Sequence, residues 1–85
     1  MNRRIGWSKR AAKEFDRLDR HLQRRITAAL DRLASDQGGD VRKLEDLAEE
    51  IWRLRVGDWR ILFRHGQDQS LLVLRVRPRG SAYEP

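Results

Sequence analysis

The chain has 85 residues, of which 39% are hydrophobic and 38% are charged, and its formal net charge is +6. A chain of this length buries a thin core, so we expect residues 1–85 to form a single domain. It has no cysteine and no apolar run that could span a bilayer, which excludes disulfides, thiolate chemistry and membrane insertion and favours a cytoplasmic protein.

The N-terminal part predicts a short edge strand and two helices. Residues alternate in character from Arg3 to Trp7, and Ser8 can cap a helix that begins at Lys9. Apolar residues then recur at helical spacing in two series separated by His21. The first series is Ala12, Phe15 and Leu18, and the second is Leu22, Ile26, Ala29, Leu30 and Leu33.

The second helix should end near residues 35–40, where Gly38-Gly39 interrupts the helical pattern. The structure of residues 41–50 is left open, although a short strand around Val41–Leu44 followed by a loop fits the sequence.

The segment IWRLRVGDWRILFR, residues 51–64, predicts a β-hairpin. Gly57-Asp58 separates two runs in which apolar residues alternate with arginine. Period-two alternation gives such a hairpin one apolar face and one arginine face. The apolar set is Trp52, Leu54, Val56, Trp59, Ile61 and Phe63, and the arginine set is Arg53, Arg55, Arg60 and Arg64.

After a turn at residues 65–68, the segment SLLVLRVR predicts a third strand. Placing Leu72, Leu74 and Val76 towards the core turns Arg75 and Arg77 outwards. Two consecutive helices joined by a short link pack on the same face of a sheet. We therefore predict an α+β fold with two helices on one face of a mainly antiparallel sheet of about four strands, and exposed arginines on the open face.

The arginines of the second half suggest an anionic partner. Residues 51–83 contain seven arginines, no lysine and two acidic residues. The planar guanidinium binds phosphate with two hydrogen bonds and stacks on bases, and Arg79 and Tyr83 follow in the tail beside the same face. This favours an RNA-binding surface, but solvated surface charge and a GC-rich genome are alternative explanations.

Other chemistries have little support in the sequence. His21 and His65 have no partner at metal-binding spacing. The acidic run of Glu45, Asp46, Glu49 and Glu50 is typical of a solvated loop. There is no glycine-rich phosphate loop, and no Ser-His-Asp arrangement can be assembled, so we expect neither a metal nor a cofactor.

The order of elements resembles the RelE/ParE superfamily of bacterial type II toxins over nearly the whole chain. WSKRAAKEFDRLD is similar to the family's first helix, IWRLRVGDWRILFR to its central hairpin, and VRPRGSAY to its terminal arginine-tyrosine element. The resemblance implies a small RelE-like fold. RelE-like members are implied to be metal-independent endoribonucleases that cleave mRNA in the ribosomal A site, whereas ParE-like members poison DNA gyrase. The basic residues favour the first activity; a ParE-like gyrase inhibitor and a non-catalytic nucleic-acid-binding module are the alternatives.

The resemblance also implies functional residues and partners. The implied catalytic residues are Arg53, Arg55, Arg60, Arg77 and Tyr83, and many relatives also carry arginine at the position of Arg79. Arg79 is a predicted RNA contact, and so is Arg75, which the strand alternation places on the open face. RelE itself has lysines where this chain has Arg53 and Arg55, and a guanidinium does not release a proton at neutral pH, so the general base is left open. The implied partners are a cognate antitoxin, mRNA on the ribosome, and operator DNA reached only through the antitoxin.

Overall fold

The computed structural model describes residues 2–45 and 48–80, which form a five-stranded sheet with two helices. The elements are β1 Ile5–Trp7, α1 Lys9–Asp16, α2 Arg20–Ala34, β2 Val41–Lys43, β3 Trp52–Val56, β4 Trp59–His65, a short 3₁₀ helix Gln67–Gln69, and β5 Leu71–Pro78. The strand order is β1-β5-β4-β3-β2. The β1–β5 pair is parallel and the other three pairs are antiparallel.

This architecture confirms the predicted α+β class and corrects the strand count from about four to five. The additional strand is β2, which lies in the segment that the sequence left open and pairs with β3. The short strand that the sequence allowed around Val41–Leu44 is present at Val41–Lys43. Three residues show too little alternation to decide between strand and loop, and the pairing with β3 decides it.

Both helices begin where a side-chain oxygen accepts a hydrogen bond from a backbone N–H group. The Ser8 hydroxyl accepts a hydrogen bond from the Ala11 N–H at 3.0 Å, as predicted for the start of α1. The Asp19 carboxylate accepts one from the Leu22 N–H at 2.9 Å and starts α2 in the same way. In the described part of the chain, neither helix is long and apolar enough to cross a membrane.

The core lies between the helices and one face of the sheet. It consists of Ala11, Ile26, Ala29, Leu30, Ala34, Leu54, Val56, Ile61, Phe63, Leu71, Val73 and Val76. Trp7, Trp52 and Trp59 are partly buried against this cluster, as expected for core or edge residues. The alternation of β3 and β4 therefore predicted the core side of the hairpin correctly.

The turn between β3 and β4 contains two residues. Val56 pairs with Trp59, which leaves Gly57 and Asp58 as the connection. Gly57 has a φ of 58°, a conformation that glycine adopts without the steric cost that a side chain imposes. This tight turn fixes the register of the two strands, and so determines which arginines lie opposite one another.

β5 contains a β-bulge in its pairing with β4. Leu62 pairs with Arg75, but the next residue of β4, Phe63, pairs with Val73. Leu74 is thus an extra residue in β5, without a counterpart on β4. A bulge of this kind interrupts the alternation of side chains between the two faces.

The bulge corrects the predicted orientation of β5. Leu71 and Val73 lie in the core before the bulge, and Val76 lies in the core after it. The prediction for Val76 is confirmed, but the predictions for Leu72 and Leu74 are wrong, because both are only partly buried. Strict alternation cannot place residues correctly on both sides of an inserted residue.

Where β1 ends, Ser8 and Glu14 of the α1 region continue the hydrogen bonding to β5. β1 pairs with residues 71–73 of β5. The Ser8 N–H then donates to the Val73 carbonyl at 2.9 Å, and the Ser8 hydroxyl donates to the Leu74 carbonyl at 3.0 Å. Glu14 accepts a hydrogen bond from the Val76 N–H at 2.9 Å. The helix thereby satisfies backbone groups that a longer β1 would otherwise have paired.

Leu54 is buried, whereas the bulge leaves Leu74 only partly buried, so truncating each to alanine should lower the free energy of unfolding by different amounts. Leu54→Ala removes a side chain that is fully buried in the core, so it should lower the free energy of unfolding by about 2–5 kcal/mol. Leu74→Ala removes a partly exposed side chain at the bulge and should cost about 1 kcal/mol. Urea denaturation followed by circular dichroism measures both. Equal losses would contradict the placement of Leu74.

Candidate functional site

Three arginines from three neighbouring strands form a row across the sheet. Arg60 of β4 lies directly opposite Arg55 of β3 on one side and Arg77 of β5 on the other. The adjacent residue of β4, Ile61, is in the core, so this row faces away from the helices. We call Arg55, Arg60 and Arg77 the arginine row, and the side of the sheet that carries it the arginine face.

A second row on the same face has an apolar centre. Leu62 lies opposite Arg53 of β3 and Arg75 of β5, and it is 0% exposed. Ile51, just before β3, is also fully buried and lies outside the core cluster under the helices. The sequence analysis did not identify the buried apolar residues Leu62 and Ile51 on this face. Leu62, which stands between the arginines of β4, could have indicated them.

Arg60 is held against the hairpin turn. Its Nη1 donates to the carbonyls of Gly57 and Trp59, each at 3.1 Å, and the residue is only 8% exposed. The register confirms that Arg60 lies on the arginine face. The prediction that it is exposed is wrong, because its guanidinium folds back onto nearby carbonyls and is shielded from solvent.

Arg75 is held by a carboxylate from α1. The Glu14 carboxylate accepts hydrogen bonds from Arg75 Nε at 3.1 Å and from Arg75 Nη2 at 2.8 Å. Arg75 is only 5% exposed. The predicted exposure of Arg75 is therefore wrong. The sequence analysis did not identify Glu14, but it lies three residues after Ala11 and four before Leu18, which places it near the buried side of α1.

The environment of Glu14 keeps its carboxylate ionised. Burial raises its pKa, but the hydrogen bonds from Arg75 and the Val76 N–H, together with the charges of Arg75 and Arg77, outweigh this effect. The net result is a pKa below the usual range of a glutamate. Glu14 is therefore a fixed negative charge beside the arginine row at neutral pH.

Arg55 and Arg77 are the accessible arginines of the row, and Arg53 lies beside them. Arg55 is exposed, and the Arg77 side chain is 34% exposed. The Nε atoms of Arg53 and Arg77 are buried and have no hydrogen-bond partner in the described part of the chain. Arg53 otherwise contacts the Asp40 carboxylate through Nη2 at 3.4 Å. The accessible side chains of Arg55 and Arg77 therefore suit an anionic ligand with several acceptor oxygens.

The start of the C-terminal tail lies beside the arginine row. The Arg79 N–H donates to the carbonyl of Asp58 at 2.7 Å, which holds the exposed Arg79 next to the hairpin turn.

Tyr83, the remaining predicted site residue, lies outside the described residues, as does Asp46 of the acidic run. Residues 2–45 and 48–80 contain no group of three or more His, Asp or Glu side chains that could hold a metal ion.

The family model described as "ParE toxin of type II toxin-antitoxin system, parDE" matches residues 5–83. The chain belongs to this family. The resemblance to the RelE/ParE superfamily is thereby confirmed, and the protein is a type II toxin. A comparison with curated proteins finds no match for this toxin.

Solved structures with the same fold include three toxin–antitoxin complexes. The archaeal RelE–RelB complex from Pyrococcus horikoshii is 28% identical, with a TM-score of 0.77 over 96% of this toxin and 100% of that chain. The RelBE2 complex from Mycobacterium tuberculosis is 17% identical, with a TM-score of 0.78 over 93% and 100%. The RelB–RelE complex from Methanococcus jannaschii is 22% identical, with a TM-score of 0.73 over 94% and 99%. The last two show the fold alone.

The contacts of Arg60 predict that it stabilises the toxin. Arg60→Ala should lower the free energy of unfolding by roughly 1–3 kcal/mol, because it removes a buried side chain and the donor to two carbonyls. Arg55→Ala removes the same charge from an exposed position of the same row, and should stay within about 0.5 kcal/mol of the unmodified toxin. Urea denaturation distinguishes the two variants. An unchanged stability for Arg60→Ala would contradict the structural role.

Proposed function

We propose that this toxin is an endoribonuclease that cleaves mRNA on the ribosome without a metal ion. The observation that carries the proposal is the arginine row, in which three guanidinium groups lie side by side on adjacent strands. Like charges opposite one another destabilise a sheet, so a dianionic phosphorus intermediate or transition state is a favourable partner for the row. Arginine also matches the geometry of phosphate oxygens.

In the proposed reaction the ribose 2′-oxygen attacks the adjacent phosphorus. The bond from phosphorus to the 5′-oxygen breaks, the 2′-hydroxyl gives up its proton and the departing 5′-oxygen takes one up. The products are a 2′,3′-cyclic phosphate and a 5′-hydroxyl. The partly exposed Arg77 contacts the non-bridging oxygens and stabilises their added negative charge. Arg60 supports the same charge from its buried position in the row.

The remaining residues bind and align the RNA in this proposal. Arg53 and Arg55 hold the flanking phosphates, and Arg79 binds the strand beside the hairpin turn. Tyr83 stacks on or orients a base and shuttles a proton. A guanidinium cannot accept the proton of the 2′-hydroxyl, so the arginines act through charge and alignment, with the ribosome positioning the message.

Gyrase inhibition is the second candidate function. The observation in its favour is that the matching family model is that of the ParE toxin. The resemblance implies that ParE-like members poison DNA gyrase. In that case the arginine face would contact a protein or its DNA, and messages would stay intact.

We also propose that the toxin has a cognate antitoxin in the cytoplasm. The three similar structures cited above are complexes of a toxin with an antitoxin. A net charge of +6 and an arginine-rich face favour an acidic or amphipathic antitoxin segment that neutralises the face and denies RNA access. Operator DNA would then be reached only through the antitoxin.

Induced expression followed by primer extension on cellular messages tests the proposed activity. We expect cuts in phase with codons inside translated frames. Arg77→Ala and Tyr83→Ala should reduce cleavage by about a hundredfold, because each removes a group that acts on the reacting nucleotide. Arg24→Ala is the matched control, since it removes an exposed arginine from α2, on the other side of the sheet.

Two results would contradict the nuclease. Intact messages together with gyrase-linked DNA breaks would establish the second candidate instead. Full toxicity of Arg77→Ala, with a melting temperature equal to that of the unmodified toxin, would show that the arginine row is not the site.

The antitoxin prediction concerns binding. Co-expression with the product of the adjacent gene should give a tight complex with a 1:1 toxin-to-antitoxin ratio. Arg55→Glu should weaken the complex about tenfold or more, whereas Arg24→Glu should leave it nearly unchanged, because only the first reverses a charge on the arginine face. Isothermal titration calorimetry measures both. Equal effects, or purification of the toxin alone without a growth defect, would contradict the prediction.

A further inference from the structure

One carboxylate of α1 contacts three consecutive residues of β5. The Glu14 side chain, 15% exposed, binds the Arg75 guanidinium, accepts from the Val76 N–H and lies 3.5 Å from Nη1 of Arg77. Residues 75 and 77 point to the arginine face, whereas Glu14 reaches them from the edge of the sheet. This carboxylate therefore connects the helical layer directly to the arginine row.

The lone pairs of Glu14 are largely occupied. Oε1 accepts from the Val76 N–H at 2.9 Å and from Arg75 Nε at 3.1 Å. Oε2 accepts from Arg75 Nη2 at 2.8 Å. A carboxylate stabilised in this way is a poor proton acceptor and is fixed in position. Glu14 is therefore unsuited to act as the general base that removes the proton of the ribose 2′-hydroxyl.

The contact to Arg77 is different from the contact to Arg75. Arg75 is gripped through two nitrogens at short distances, whereas Arg77 touches Glu14 through one nitrogen at the outer limit of a hydrogen bond. Arg77 is thus held only weakly, and its side chain, which is partly exposed, can still contact a ligand. The negative charge also offsets the repulsion that Arg77 experiences from Arg60 and Arg75.

We propose that Glu14 is a positioning residue that aims Arg77 at the reacting phosphate while Arg75 anchors the carboxylate. This inference rests on the proposed ribonuclease function, in which Arg77 stabilises the transition state. Glu14 does not touch the RNA. It sets the direction of a side chain that would otherwise move away from two neighbouring arginines. A purely structural alternative is that Glu14 only fastens α1 to β5.

A double-mutant cycle on cleavage separates the two roles. Glu14→Gln keeps the size of the side chain and removes its charge, and we expect kcat on ribosomes carrying mRNA to fall about tenfold with little change in KM. In an Arg77→Ala background the same substitution should cause less than a twofold further loss. Asp16→Asn, which removes an exposed charge from the same helix, is the matched control and should be neutral.

A second measurement does not depend on activity. In the free toxin, the heteronuclear NOE of the Arg77 Nε–Hε group reports how rigid that side chain is. Glu14→Gln should lower it towards the value of a mobile arginine, and Asp16→Asn should not. If the unmodified toxin cleaves no mRNA, the proposed function fails, and this measurement still decides whether Glu14 positions Arg77.

Three results would overturn the inference. They are a wild-type rate for Glu14→Gln, a loss that multiplies fully with that of Arg77→Ala, and an unchanged NOE at Arg77. If Glu14→Gln unfolds at too low a temperature to be assayed, Glu14→Asp is tested instead. It keeps the charge and shortens the side chain by one methylene. That variant should retain the fold and show a smaller loss of both rate and NOE, and wild-type values for both would overturn the inference.

Discussion

The bulge at Leu74 controls how β5 distributes its side chains, and both layers of the toxin depend on that distribution. Uninterrupted alternation from Val73 onwards would place Arg75 and Arg77 beneath the helices. Buried charges without partners are expensive, so such a core would not be stable. One extra residue moves Val76 into the core and both arginines to the opposite face. The same local irregularity therefore completes the core and the arginine row.

α1 links the two faces of the sheet at the edge of β5. Its N-cap residue, Ser8, bonds to the β5 backbone around the bulge, and Glu14, nearly two turns further along, bonds to the strand beyond it. Glu14 also neutralises part of the charge that the bulge brings to that side. Because one helix performs both tasks, its packing on the core also determines the geometry of the arginine face.

The arginines of this face divide into two groups. Arg60 and Arg75 are nearly buried and are held by carbonyls or by a carboxylate, so they contribute to the folded structure. Arg55 and Arg77 are more exposed and have donors to offer a ligand. Glu14 offsets part of the positive charge beside the row, and the remaining positive potential is directed outwards. This division favours the binding of an anionic partner at the exposed arginines.

The sequence by itself determined the two helices, the Ser8 cap, the hairpin with its apolar and arginine faces, and the toxin family, because each depends on residues close together in the chain or on a contiguous motif. Only the tertiary structure decided the strand β2, the phase of β5 and the exposure of individual arginines. A bulge exists only relative to the partner strand. Likewise, Arg75 is buried because Glu14 reaches it from 61 residues away, and no local periodicity encodes such a contact.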